Sequence, residues 1–194
     1  VISEDKEKLV DMIKYLASVD CYLAIASLLK EKNYCFTEFY VKNQKPSIEA
    51  KDLYYPILKN PVKNDLTLGL YNPLNAIITG PNAGGKSTFI KSLCLAIIFS
   101  QTLTVAPSSK FALTPFSLIS TYLNIPDAKG KESLFEAEMR RSLEYINSIR
   151  SLSKKKFSFV IMDEIFSSTN PDEGISGAYS IAKNISQNTN NTVS

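Results

Sequence analysis

Histidine is absent from all 194 residues, and so is tryptophan. Without imidazole there is no serine triad built on a His base, none of the usual zinc enzymes and no His acid–base relay. Catalysis must come from carboxylates, lysine, hydroxyls or a metal ion. Cysteine is scarce as well: Cys21, Cys35 and Cys94 stand at spacings that match no metal or redox motif. Their odd number argues against a disulfide framework, so reduced, intracellular thiols are expected. Long hydrophobic runs are missing too. The longest, Leu93 to Phe99, is far short of the ~20 residues that cross a bilayer, and no charged-then-apolar leader opens the chain. Neither secretion nor a membrane span is expected. Charge of one sign is also lacking, since 22 basic and 19 acidic residues leave only +3. That balance gives no electrostatic argument for nucleic acid or anionic lipid.

What is present reads as a soluble folded chain. With 44% hydrophobic and 21% charged residues and a mean hydropathy of −0.05, the composition is globular, and the length suits about one domain or one domain and a piece of another. Valine stands first, and the last residues turn from polar to β-branched at Asn191 to Ser194. Both ends read as those of an excised fragment, truncated at its C-terminus.

From Asp5 to about Lys32 the apolar residues Leu9, Met12, Ile13, Leu16, Val19, Leu23, Leu28 and Leu29 follow helical spacing and predict one long helix or two joined ones. Short strands are expected over Phe36 to Val41, Ile48 to Ala50 and Leu66 to Leu68, within turn-rich surroundings. Asn75 to Thr79, between Pro73 and Gly80, has the continuous apolar character of a strand buried on both faces. Helices are expected over Lys86 to Leu103, roughly Glu132 to Ile149, and Glu173 to Ser186. Phe111 to Leu123 suggests two short strands around Pro115, and Phe157 to Met162 another buried strand. Alternation of strands and helices argues for an α/β fold with a mainly parallel sheet flanked by helices and preceded by a helical segment.

The sharpest chemical signal is Gly80-Pro81-Asn82-Ala83-Gly84-Gly85-Lys86-Ser87, followed by Thr88. It matches the phosphate-binding pattern GxxxxGK[ST], and it falls between an expected strand and an expected helix. Glycines let the backbone curl with its N–H groups inward, and the helix that follows presents a partial positive charge at its N-terminus. A nucleoside triphosphate is the natural guest. Lys86 would reach the β- and γ-phosphates, and Ser87 would place its hydroxyl on Mg²⁺. The second signal is the apolar strand Phe159-Val160-Ile161-Met162 ending in Asp163-Glu164. Asp163 would hold the Mg²⁺ shell, and Glu164 would polarise the attacking water as a carboxylate general base. Alone, such an acid pair is usually a solvated strand end. Together the two motifs predict an NTPase that uses Mg²⁺.

The segment GPNAGGKST followed by Asp-Glu resembles both ABC-type ATPases and the MutS family of DNA mismatch repair proteins. No LSGGQ-type signature precedes the acids here. Instead Ser133-Leu-Phe135-Glu-Ala-Glu138-Met139 is similar to the MutS signature, and Asp163-Glu-Ile-Phe-Ser-Ser-Thr169-Asn-Pro-Asp172-Glu-Gly174 to that family's acid-motif segment. Leu16 to Asp20 and Ile48 to Pro56 are similar to the helical end before the ATPase and to the entry into it.

The resemblance implies that residues 1–45 are the end of a preceding helical domain with its connector, and 46–194 a MutS-like P-loop ATPase domain. It implies dimerisation with a second copy or a related subunit, Asn82 on the γ-phosphate, and Ser133 reaching the partner's nucleotide as a sensor. Ser133 also fits a helix N-cap, with Glu136 completing a capping box, and the two readings are compatible. DNA handling would belong to parts outside this chain, in the cytoplasm, nucleoid or nucleus. The fragment itself is expected to bind ATP yet hydrolyse it poorly. An ABC-type or chromosome-organising ATPase, or a nucleotide-gated dimerisation module without turnover, are the alternatives. Two departures stand out. Pro61-Val62-Lys63 replaces the aromatic residue expected to stack on adenine, leaving Tyr54 and Tyr55 as substitutes, though aromatics near a loop are more often core. Ile165 is followed by Phe166-Ser-Ser where most members have Gly-Arg-Gly.

Overall fold

A computed structural model describes residues 2–31, 33–42, 44–123, 134–153, 155–166, 169–188 and 191–194. It shows a mixed α/β chain. Helix α1 (Ile2–Lys30) is one uninterrupted helix rather than two. Its apolar residues Leu9, Met12, Ile13, Leu16 and Leu23 are all more than half exposed, so no other described element covers the stripe that made it legible. Residues 6–30 are long and apolar enough to cross a membrane by length and composition alone, which the search for a single apolar run had not anticipated. Lys14 and Asp20 lie within that stretch.

Strands β1 (Cys35–Phe39), β2 (Ser47–Leu53), β3 (Asn64–Gly69), β4 (Val105–Ala106) and β5 (Lys110–Leu113) form a five-stranded sheet in the order β3-β2-β5-β1-β4. Strand β1 therefore belongs to this sheet rather than to a helical unit. Between β3 and β4 runs helix α2 (Lys86–Leu103), on the span its composition predicts. A second sheet, in the order β6-β7-β8, is made of β6 (Leu118–Tyr122), β7 (Ser158–Met162) and β8 (Thr192–Val193). Helices α3 (Leu134–Ser151) and α4 (Pro171–Asn188) supply its crossovers.

The expectation of a mainly parallel sheet holds for only one of the two. The pairings β6·β7 and β7·β8 are parallel, as crossover helices require. In the five-stranded sheet β1·β5 is parallel, but β1·β4, β2·β3 and β2·β5 are antiparallel. Its strands are joined by turns and loops except where α2 intervenes, and such connections allow the chain to reverse.

Side chains sort into two cores. The larger joins Ile48, Leu53, Phe111 and Leu113 of the five-stranded sheet to Leu93 and Ile97 of α2, and to Phe159, Ile161 and Val193 of the other sheet. Val160, between Phe159 and Ile161, turns the opposite way into a second core with Tyr145 of α3, Phe166, and Ile181 and Ile185 of α4. Strand β7 is thus buried on both faces, as its unbroken apolar run predicts.

The expected strand over Asn75–Thr79 is not formed as such. Only its beginning is paired: the Ser194 amide donates to the Leu74 carbonyl at 3.1 Å, and the Ala76 amide to the Ser194 carbonyl at 2.8 Å. Ile77 is 88% exposed and Ile78 41%, so an apolar run here is not a buried one.

Candidate functional site

The turn at residues 80–85 is exposed and delivers the chain into α2. Gly85 caps α2 in the left-handed conformation, φ 85°, without a side-chain cap. A Cβ there would meet nothing within 4 Å, so the glycine serves the backbone turn and leaves the space in front of the helix open. Ala83 adopts the same region, φ 61°. The first turn of α2 carries no acidic residue, which leaves its partial positive charge without an internal counter-charge. An anion fits that end of the helix.

Lys86 is the first residue of α2, and its Nζ donates to the Gly80 and Pro81 carbonyls, both at 2.9 Å. The Gly84 amide donates to the Pro81 carbonyl at 3.1 Å. The ammonium thus closes the turn on itself. Ser87 and Thr88 follow as half-buried residues of the first turn.

At the end of β7 the half-buried Asp163 donates its amide to the Tyr122 carbonyl at 3.0 Å. Glu164 is exposed and left-handed, φ 49°. The two acids and the loop are related through sheet register. The two bonds of Ser194 form a parallel bridge that sets Asn75 level with Ser194. In the same sheet Ser158 is level with Thr192 and Phe159 with Val193, so the next step sets Val160 level with Ser194. Asn75 and Val160 stand at one height, and counting onward carries the loop at Gly80 and the acids at Asp163 and Glu164 toward the same end of the sheet. The line of β8 separates them. Ser87 and Asp163 offer hydroxyl and carboxylate oxygens, a hard donor pair that suits Mg²⁺ with its remaining positions on water and phosphate.

Ser133, expected to serve the partner's nucleotide, lies outside the described residues. Tyr54 is 7% exposed, with its ring edge-on to Tyr34 at 6.1 Å. Burial raises its hydroxyl pKa. It is a core residue and offers no face to a base, whereas Tyr55 is half-buried.

Two features escape the sequence reading. Arg141 donates to the Thr121 carbonyl at 3.0 Å and lies 5.5 Å from the centre of the Tyr122 ring, so α3 braces the strand end that holds Asp163. Burial above all, with help from Glu138, pushes the Tyr122 hydroxyl up to about 12. The second is Phe166, left-handed at φ 59° and only 3% exposed. Its one sequence signal is the departure from glycine at that position.

A family model for MutS domain V matches residues 76–193. The chain is 32% identical over 186 residues to the DNA mismatch repair protein MSH3 of Vanderwaltozyma polyspora, covering 93% of this chain and 17% of that protein. Against MSH3 of Scheffersomyces stipitis identity is 34% over 191 residues, with 94% and 18% covered. Against the DNA mismatch repair protein MutS of Thermodesulfovibrio yellowstonii it is 28% over 194 residues, with 93% and 22% covered. The chain therefore spans about a fifth or less of the length of these relatives.

Proposed function

The chain belongs to the MutS family, and from that premise we propose that it binds and hydrolyses ATP with Mg²⁺ as the P-loop ATPase part of a mismatch repair protein. The observation that carries the proposal is the common end of the sheet toward which the glycine turn of α2 and the acids of β7 both run.

In this reading the amides at the start of α2 cradle the β- and γ-phosphates, and Lys86 exchanges the Gly80 and Pro81 carbonyls for phosphate oxygens. Gly80, Pro81, Asn82, Ala83, Gly84, Gly85 and Thr88 complete the cradle, with Asn82 on the γ-phosphate. Ser87 and Asp163 would hold Mg²⁺, which would supply neutralisation of the negative charge on the phosphates. Glu164 accepts a proton from the water that attacks the γ-phosphorus, and ADP leaves with the electron pair of the broken P–O bond.

Around this site we place a dimer with a second copy or a related MutS-like subunit, closed when ATP is bound, with Ser133 of each subunit directed at the other's nucleotide. Residues 46–194 form the ATPase unit, joined by β1, and α1 is the end of a preceding helical unit. Double-stranded DNA is handled by other parts of the protein, in a DNA-containing compartment of the cell.

Glu164→Gln in the full-length protein tests the reading. We expect near-normal ATP affinity and a loss of turnover of about 10²- to 10⁴-fold, the usual share of a positioned base. Unimpaired phosphate release would remove Glu164 from that role. ATP-dependent association on a sizing column without phosphate release by the unmutated protein would reduce the site to a nucleotide-gated dimerisation device.

A further inference from the structure

Phe166 stands two residues beyond Glu164, and both are left-handed, with φ 59° and 49°. L-residues rarely adopt this region, and a bulky side chain there is an outlier that the surroundings must enforce. The surroundings are visible. The Phe166 ring lies 5.4 Å from that of Phe135, at the start of α3, with the planes tilted by 56°. On its other side it meets α4 at Gly177, where a Cβ would stand 3.0 Å from Cδ2 and 3.1 Å from Cε2. One turn earlier on α4, a Cβ on Gly174 would come within 2.7 Å of the Phe166 carbonyl oxygen. Two bare positions on α4 thus admit the backbone and the ring of one residue, which is 3% exposed in the second core.

We propose that Phe166 is a positioning residue for Glu164: its ring, seated between Gly177 and Phe135, locks the left-handed turn that aims the carboxylate. This deepens, and rests on, the reading of Glu164 as the base of ATP hydrolysis. Removing the ring removes what enforces two strained residues, and the turn relaxes into ordinary backbone basins, carrying the carboxylate away from its water. A displacement of about 1 Å at a reacting group costs roughly 10²-fold in rate. Nucleotide affinity should be untouched, because the glycine turn and Lys86 belong to α2.

The test uses the full-length protein and compares kcat, the KM for ATP and the thermal midpoint. Phe166→Ala should lower kcat by about 10- to 100-fold at unchanged KM, measured well below its midpoint. Phe166→Leu, which keeps a bulky apolar group, should retain most of the activity. Gly177→Ala crowds the ring and should lower kcat several-fold, with recovery when Phe166→Leu is added. A purely structural role would lower the midpoint and leave kcat alone. A folded Phe166→Ala protein with unaltered kcat, or one whose KM rises as kcat is kept, overturns the proposal. Should that variant fail to fold, full kcat in Gly177→Ala overturns it instead. Full turnover in Glu164→Gln would sink the base reading and this proposal together, whereas an inactive Glu164→Gln beside an active Phe166→Ala sinks the wedge alone.

Discussion

The two sheets share a core yet are finished in different ways. In the five-stranded sheet, β5 has a partner on each side, and Phe111, Ala112 and Leu113 are at most 1% exposed. In the three-stranded sheet, β7 lies between β6 and β8 and ends in Asp163 and the exposed Glu164, at the end of the sheet toward which the exposed turn at 80–85 also runs. One sheet is closed by the chain's own side chains. The other delivers the glycine turn and the acids of β7 toward one end. Stability should reside in the first and chemistry at the end of the second, in keeping with the tendency of ligand-binding segments to come from the less protected parts of a fold.

The largest expected effect falls on the closed sheet. Phe111→Ala empties a fully buried ring position at the centre of β5 and should cost about 3–5 kcal/mol of stability, read as the shift in a urea denaturation curve. The folded fraction should keep its affinity for MgATP. A cost under about 1 kcal/mol would mean that the neighbouring chains collapse into the cavity, and the contrast between the sheets would fail.

Next is Lys86→Ala, the opposite case. Its Nζ bonds go to two carbonyls of an exposed turn, so little stability depends on it. A charge-assisted contact to phosphate is worth roughly 1.5–3 kcal/mol, so MgATP affinity should fall by about 10- to 150-fold in calorimetry. Unchanged affinity would take the glycine turn out of the site. A large drop in unfolding free energy would show that the glycine turn carries stability as well.

What could be foreseen follows the same division. The glycine turn, α2 and the strand ending in Asp163 and Glu164 are set by local residue order, and the sequence is enough to find them. Strand direction is not local. The alternation in Ser47–Leu53 shows a face to bury, but nothing in it says that β3 and β5 both run against β2. The apolar run at Asn75–Thr79 has a strand's composition, but its ladder partner, Ser194, lies more than a hundred residues away in the chain. The two-residue β4, entered through the left-handed Thr104, is too short to leave a period. The seat of Phe166 depends on two glycines that reach it only after α4 has folded back onto β7. At that position sequence order shows an unusual residue without showing its use.

The smallest effect sharpens the comparison by asking whether charge pairing, rather than burial, holds the closed sheet. Lys110 of β5 reaches Glu49 of β2 at 2.8 Å, with the Lys110 side chain 51% and the Glu49 side chain 33% exposed, and the Tyr40 hydroxyl donates to the other Glu49 oxygen at 3.3 Å. The hydrogen bond from Lys110 is the main reason that the Glu49 carboxyl lies below its ordinary 4.5. A carboxyl whose folded pKa is depressed adds stability above its unfolded pKa and loses it as the pH falls through the folded one. Lys110→Ala should therefore lower the denaturation midpoint slightly near neutral pH. It should leave the midpoint unchanged once the pH has fallen below the folded pKa of Glu49, where the carboxyl is protonated in both proteins. Salt should shrink the neutral-pH difference, since exposed pairs are screened. A midpoint shift as large as that of Phe111→Ala, or one that persists in acid, would assign to the ion pair the closure that buried Phe111 and Leu113 otherwise provide.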